Sequence, residues 1–154
     1  MREGLILWRI SNYATLDGVG GLQVSGRWHT KGHPIIYCSE DPSTALLETL
    51  VHLEIDAEDR PEYFQVLKIQ SSRAVSLERL EASFFGVGWQ DDISRTRAGG
   101  DGWLSTGKTL LLEVPSVLVP ERRNYLVNPL HPEMKNLRIA AVYSHPFDSR
   151  FFKR

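Results

Sequence analysis

The chain alternates between short apolar runs and polar or glycine-rich breaks. Leu5 to Ile10, ending on Trp8-Arg9-Ile10, predicts a first strand. Gly18, Gly20, Gly21 and Gly26 follow at spacings too irregular for a helix and predict a loop over a surface. Pro34 to Ser39 (Pro-Ile-Ile-Tyr-Cys-Ser) predicts a short, largely buried strand. The clearest helix comes next. Ser39 or Asp41 can cap it, Pro42 suits its first turn, and its body runs from Ser43 to Glu54. At about 100° per residue, Ala45, Leu46, Leu47, Leu50, Val51 and Leu53 cover a broad arc, and Thr44, Glu48 and His52 fill the gap. That pattern predicts a helix buried around most of its girth, with one narrow polar stripe turned to water or to a cleft.

Asp56 to Glu62 reads as a charged turn, Tyr63 to Gln70 as a strand, and Ala74 to Leu77 as its continuation in the sheet. Ser83 to Gly107, rich in Gly and Asp around Trp89 and Trp103, is the least regular stretch and leaves room for one short helix. Thr109 to Val119 is strand-rich with a break at Pro115, Tyr125 to Asn128 is short and extended, and Leu137 to Tyr143 predicts the last strand. One good helix among so many strands indicates an α+β fold with a strand-rich core, because the regular strand–helix alternation of a doubly wound sheet is missing.

Composition narrows this further. With 154 residues, 42% hydrophobic and 24% charged, the chain can bury one core, and a single domain over residues 1–154 is expected. Eighteen basic against 19 acidic residues leave a net charge of −1, which gives no general electrostatic grip on nucleic acid or an anionic membrane. Cys38 stands alone, so an internal disulfide and a multi-cysteine metal site are both excluded. No stretch reads as a secretory h-region or as the ~20 apolar residues of a membrane span. A soluble cytoplasmic protein is the expectation.

One motif misleads. Gly102-Trp103-Leu104-Ser105-Thr106-Gly107-Lys108-Thr109 matches the phosphate-binding pattern G-x-x-x-x-G-K-[ST] letter for letter. A working P-loop needs a buried strand before it and a long helix after it, whose N-terminal amides hold the phosphate. Ser94 to Asp101 is polar and glycine-rich, and Pro115 stops any helix that starts after Thr109. A P-loop phosphotransferase is therefore set aside.

The remaining candidates are Arg9, Arg27, Tyr37, Glu48, Ser116, Asn128 and His131. Singly, each has an ordinary structural reading: a surface ion pair for Arg9, a core aromatic for Tyr37, a solvated carboxylate for Glu48. Arg27 lies in Ser25-Gly26-Arg27-Trp28-His29, where glycine lets backbone approach a ligand and arginine can fork onto phosphate. Together, two arginines, an aromatic and a glutamate suit a ligand with a pyrophosphate, a flat ring and a ribose.

These residues sit in segments that resemble the RES domain family. The segments are Trp8-Arg9, Ser25 to His29, Gly32 to Glu40, Ala45 to His52, Trp103-Leu104, Val114-Pro115-Ser116, Asn124 to Pro132 and Phe147 to Arg150, so the resemblance spans essentially the whole chain. It implies an ADP-ribosyltransferase-like fold. The family's name-giving residues map to Arg9 or Arg27, to Glu48 and to Ser116. It implies the toxin of a bacterial type II toxin–antitoxin module, acting on NAD+ as substrate by hydrolysis or phosphorolysis, or alternatively as donor of ADP-ribose to a protein. The implied partner is an Xre-type helix-turn-helix antitoxin that blocks the active site and makes the DNA contacts, and a homodimer within that complex is compatible with it. In the implied chemistry Glu48 stabilises an oxocarbenium-like ribose, Tyr37 stacks on nicotinamide, and Arg9 and Arg27 hold the pyrophosphate. Ser116, Asn128 and His131 orient neighbours or the ribose. No metal is required, since nicotinamide is already a good leaving group. A non-catalytic member acting only through a DNA-binding partner is the remaining alternative.

Overall fold

The computed structural model describes residues 4–52 and 61–152. Its strands are β1 (Ile6–Ile10), β2 (Ile36–Ser39), β3 (Tyr63–Ser71), β4 (Leu77–Arg79), β5 (Leu111–Pro115), β6 (Arg123–Val127) and β7 (Leu137–Pro146). They form one seven-stranded sheet in the order β4-β5-β6-β2-β1-β3-β7. Every neighbouring pair is antiparallel except β4–β5, so the sheet is mixed and the fold is α+β, as the pattern of runs predicts. Among the described residues the helices are α1 (Gly20–Gln23), α2 (Pro42–Leu50), α3 (Ala82–Phe85) and α4 (Ile93–Thr106). None of them is long and apolar enough to cross a membrane.

Both faces of the sheet are covered, and the alternation along β5 shows how. Leu111 joins a core with Leu7, Ile36, Leu67, Ile69 and Val127, while Leu112 and Val114 join a second core with Trp28, Phe85, Trp89, Trp103 and Leu126. Successive side chains of a strand point to opposite faces, so a strand buried on both reads as a continuous apolar run. Glu113 interrupts that run. It is buried, accepts from the Tyr125 hydroxyl at 2.7 Å, and pairs with Arg79 of the edge strand β4, which lies opposite it in register.

The irregular stretch Ser83–Gly107 contains more order than its composition predicts. Most of it is the fourteen-residue α4, capped by the Asp92 carboxylate and closed by Gly107 in a left-handed conformation at φ 62°. A short helical turn over Trp89–Asp91 precedes it. The phosphate-motif lookalike runs over the last turn of α4, the Gly107 cap and an exposed Lys108 to Thr109, two residues before β5 begins. Helix comes before loop and strand after it, the reverse of a P-loop.

Asp41, not Ser39, caps α2: its carboxylate accepts from Thr44 N–H at 2.8 Å and from the Thr44 hydroxyl at 2.9 Å, with Pro42 in the first turn. Replacing Asp41 with alanine should lower stability by ~1 kcal/mol in thermal or urea unfolding, the usual loss for an N-cap. The burial expected of this helix is corrected. Leu47 and Val51 are 45% and 56% exposed, whereas Thr44 from the polar stripe is buried. The helix lies against β1 and β2 through its Thr44–Ala45–Glu48 side, so the polar stripe turns inward and part of the leucine arc turns out. Leu53, Glu54 and most of the charged turn fall outside the described residues.

Candidate active site

β1 and β2 are neighbours at the centre of the sheet yet pair at a single position, Trp8 opposite Ser39. Continuing that antiparallel register would set Arg9 opposite Cys38 and Ile10 opposite Tyr37. Those residues do not pair; they line a cleft of about 420 Å³ that opens where the strands part. The Arg9 guanidinium bridges the opening by donating to the Tyr37 backbone oxygen at 2.8 Å. Trp8, Arg9, Arg27, Tyr37, Glu48 and Asn124 all face this cleft.

Glu48 enters from α2. Its Oε1 accepts from the Ser116 hydroxyl at 2.9 Å and from Asn124 Nδ2 at 2.8 Å. Ser116 follows β5, and its own oxygen accepts from the Leu118 and Val119 amides at 3.1 Å. Asn124 opens β6 directly across from Ser39 of β2, and the Ser39 hydroxyl donates to its Oδ1 at 2.6 Å. The residue after β5 and one from β6 thus meet on a single carboxylate oxygen of α2, and β2 braces the second of them.

Tyr37 is held from the opposite side. Its hydroxyl donates to His29 Nδ1 at 2.6 Å and accepts from Trp28 N–H at 3.2 Å, while His29 Nε2 donates to the Gly21 carbonyl at 3.1 Å, the contact that sets the imidazole tautomer. Burial pushes the phenol above its ordinary range. The hydroxyl therefore serves the interior, and what Tyr37 offers the cleft is its ring. Cys38 also borders the cleft, but burial pushes its thiol up to about 12 despite the pull of Arg9, so it stays protonated and is no nucleophile.

Arg27 sits in the loop between α1 and β2 and donates to the Gln90 carbonyl at 2.7 Å. Four residues of α4 hold that loop. Arg97 Nε donates to the Gly26 carbonyl at 2.8 Å, and the Thr96 hydroxyl donates to the Arg27 carbonyl at 2.6 Å. Asp101 accepts from the Thr30 amide and hydroxyl at 2.8 and 2.7 Å, and Gly100 lets the Trp28 carbonyl come against the helix. Nothing in the composition of residues 83–107 signals this role.

The structure brings Arg9, Arg27, Tyr37, Glu48 and Ser116 to one place. Asn128 and His131 lie elsewhere. Asn128 follows the end of β6, four residues and ~13 Å of extended chain from Asn124, and its side chain accepts from Leu130 N–H at 3.1 Å to shape the following turn. His131 caps the turn over Pro132–Asn136 through Glu133 N–H at 3.1 Å and reaches the Lys108 carbonyl with Nε2 at 3.3 Å. Neither borders the cleft. Asn124 and Ser39 line the cleft as well, and sequence reasoning did not single out either as a site residue. Among the described residues, no group of three or more His, Cys, Asp or Glu could hold a metal ion.

Comparison with known proteins places the chain in a family. The RES domain family model matches residues 6–148. The chain is similar to Toxin Res of Pseudomonas putida, 46% identical over 148 residues that cover 96% of this chain and 100% of that protein. It is 32% identical over 155 residues to the Prs ADP-ribosylating toxin of a Sphingobium species, covering 96% of each. Toxin Res of Yersinia enterocolitica is 35% identical over 142 residues, covering 89% of this chain and 90% of that protein. A match that runs from β1 to the residues after β7, with relatives of this identity and coverage, means that the chain belongs to the RES domain family.

Proposed function

We propose that this chain is a RES-type toxin that cleaves the nicotinamide–ribose bond of NAD+, depleting the dinucleotide and arresting growth. The observation that carries the proposal is Glu48: a carboxylate at the wall of a cleft, with one oxygen held by Ser116 and Asn124, and with Arg9 and Arg27 lining the same opening. In the reaction the C–N glycosidic bond breaks and its electron pair stays on the nicotinamide nitrogen, which leaves as a neutral ring. Positive charge gathers on C1′ and the ribose ring oxygen. A fixed carboxylate beside them stabilises that charge more than it stabilises the ground state. Arg9 and Arg27 suit the pyrophosphate as charge-assisted donors, and the Tyr37 ring suits the flat nicotinamide. Water or inorganic phosphate then bonds to C1′; water gives up a proton to solvent, whereas phosphate attacks as an anion.

The second reading is transfer of ADP-ribose to a protein, and the name of the Sphingobium relative favours it. Both readings share the first half of the reaction and part only at the acceptor. In either case an Xre-type helix-turn-helix antitoxin is the proposed partner, covering the cleft and supplying the DNA contacts that a chain of net charge −1 is poorly suited to make. The test is nicotinamide release from NAD+ by the purified chain, with and without phosphate, followed by mass spectrometry of products. Free ADP-ribose supports hydrolysis, a phosphorylated ADP-ribose supports phosphorolysis, and release only with added lysate, alongside a modified protein, supports transfer. Absence of release under all three conditions overturns the proposal.

A further inference from the structure

Asn124 has no assigned role, and its surroundings point to one. Glutamate has three rotatable bonds, so it stabilises a transition state well only if its carboxylate is fixed beforehand. Both donors to Glu48 Oε1 are themselves oriented. The Ser116 oxygen already accepts from the Leu118 and Val119 amides, which leaves its proton for Glu48. The Asn124 carbonyl oxygen accepts from the Ser39 hydroxyl, which selects the amide orientation that turns Nδ2 toward Glu48. Ser39 and Asn124 are both buried, on the sheet face they share with Tyr37 and Leu126, where a plain core would place aliphatic residues. Among the described residues no hydrogen bond reaches Glu48 Oε2. Oε1 is saturated, and the second oxygen is left for the cleft.

We infer that Asn124, oriented by Ser39, is a positioning residue that presents Glu48 Oε2 to the ribose. This rests on the NAD+ reading of the cleft and adds to it the group that holds the carboxylate in place.

The experiment uses the full chain and follows nicotinamide release from NAD+ across pH. Asn124→Ala should lower kcat about 10- to 100-fold, the range seen when an outer partner of a working ligand is lost, with KM changed less than ~3-fold. Ser39→Ala keeps the amide and should lower kcat less. Asn124→Asp sets a second carboxyl against Glu48. While the pair shares a proton, the new carboxyl can donate to Oε1 as the amide does. Once that proton leaves, two like charges repel and the geometry is lost. The kcat profile of Asn124→Asp should therefore gain a limb that falls with rising pH, absent from the wild type; a merely structural role would lower the melting temperature without moving that profile. If circular dichroism shows that Asn124→Ala does not fold, Ser39→Ala and Asn124→Asp carry the test. Wild-type kcat in Asn124→Ala, or an unshifted profile in Asn124→Asp, overturns the role of Asn124 alone. A wild-type chain that releases no nicotinamide overturns the NAD+ reading and this inference with it.

Discussion

Glu48→Gln should reduce nicotinamide release from NAD+ by about 10²- to 10³-fold, the scale on which one preorganised electrostatic group acts on a transition state. The substitution keeps length and shape. Glutamine also keeps an Oε1 that can accept from Ser116 and Asn124, so the hydrogen bonds that bind α2 to β5 and β6 survive. What disappears is the negative charge at the second oxygen. The melting temperature should accordingly stay within about 3 °C of wild type, a change of no more than ~1 kcal/mol for a chain of this size. An isosteric variant that turned over NAD+ at the wild-type rate would remove Glu48 from the mechanism.

The second large effect lies outside the cleft. A Cβ on Gly100 would sit 1.6 Å from the Trp28 carbonyl oxygen and 2.7 Å from its carbonyl carbon, both backbone atoms. Backbone cannot swing aside as a side chain does, so Gly100→Ala has to push α4 off the Arg27 loop. A loss of about 3 kcal/mol is expected, at the upper end of overpacking, with a fall of ~10 °C in melting temperature. Gly102 supplies the control within the same helix. A Cβ there meets nothing within 4 Å, and Gly102→Ala should raise stability by ~0.5–1 kcal/mol through helix propensity and a less flexible unfolded chain. Circular dichroism melts of the two variants should move in opposite directions; a Gly100→Ala chain as stable as wild type would show that α4 does not clamp the loop. Where Gly100→Ala still folds, weaker NAD+ binding at a retained kcat is expected, because the displaced loop carries Arg27 and not Glu48.

Much of the fold was legible because period-two alternation and turn residues are local signals. The strands at Ile6–Ile10, Ile36–Ser39, Tyr63–Ser71 and Leu137–Pro146 fall where apolar runs predict them, with ends shifted by a few residues. Where reading failed, the controlling interaction was non-local. Residues 83–107 look irregular because glycines lower helix propensity; at Gly100 the glycine exists to admit a carbonyl from 72 positions earlier in the chain, information no window on the sequence contains. The α2 helix failed in the other direction. Its leucines predicted the buried side, yet what faces the sheet is decided by the capped Thr44 and by Glu48, whose polar atoms find partners on β5 and β6.

The sequence by itself determined an α+β chain with little charge bias and the segments that mark the RES family, and it singled out Arg9, Arg27, Tyr37 and Glu48, which the fold brings to one cleft, with Ser116 bonded to Glu48. Residue type and order suffice for these, because strand alternation, turn residues and ordered motifs are local signals. Tertiary structure decided between two asparagines four residues apart, Asn124 in β6 and Asn128 just after it. Asn124 and Asn128 fall on the same face by alternation, and no local signal separates them. Pairing of Ser39 with Asn124 sets the first beside Glu48 and leaves the second in a turn at the far end of β6. Strand register is a long-range property, fixed only when β2, β6 and α2 pack together, and it chooses which amide reaches the carboxylate.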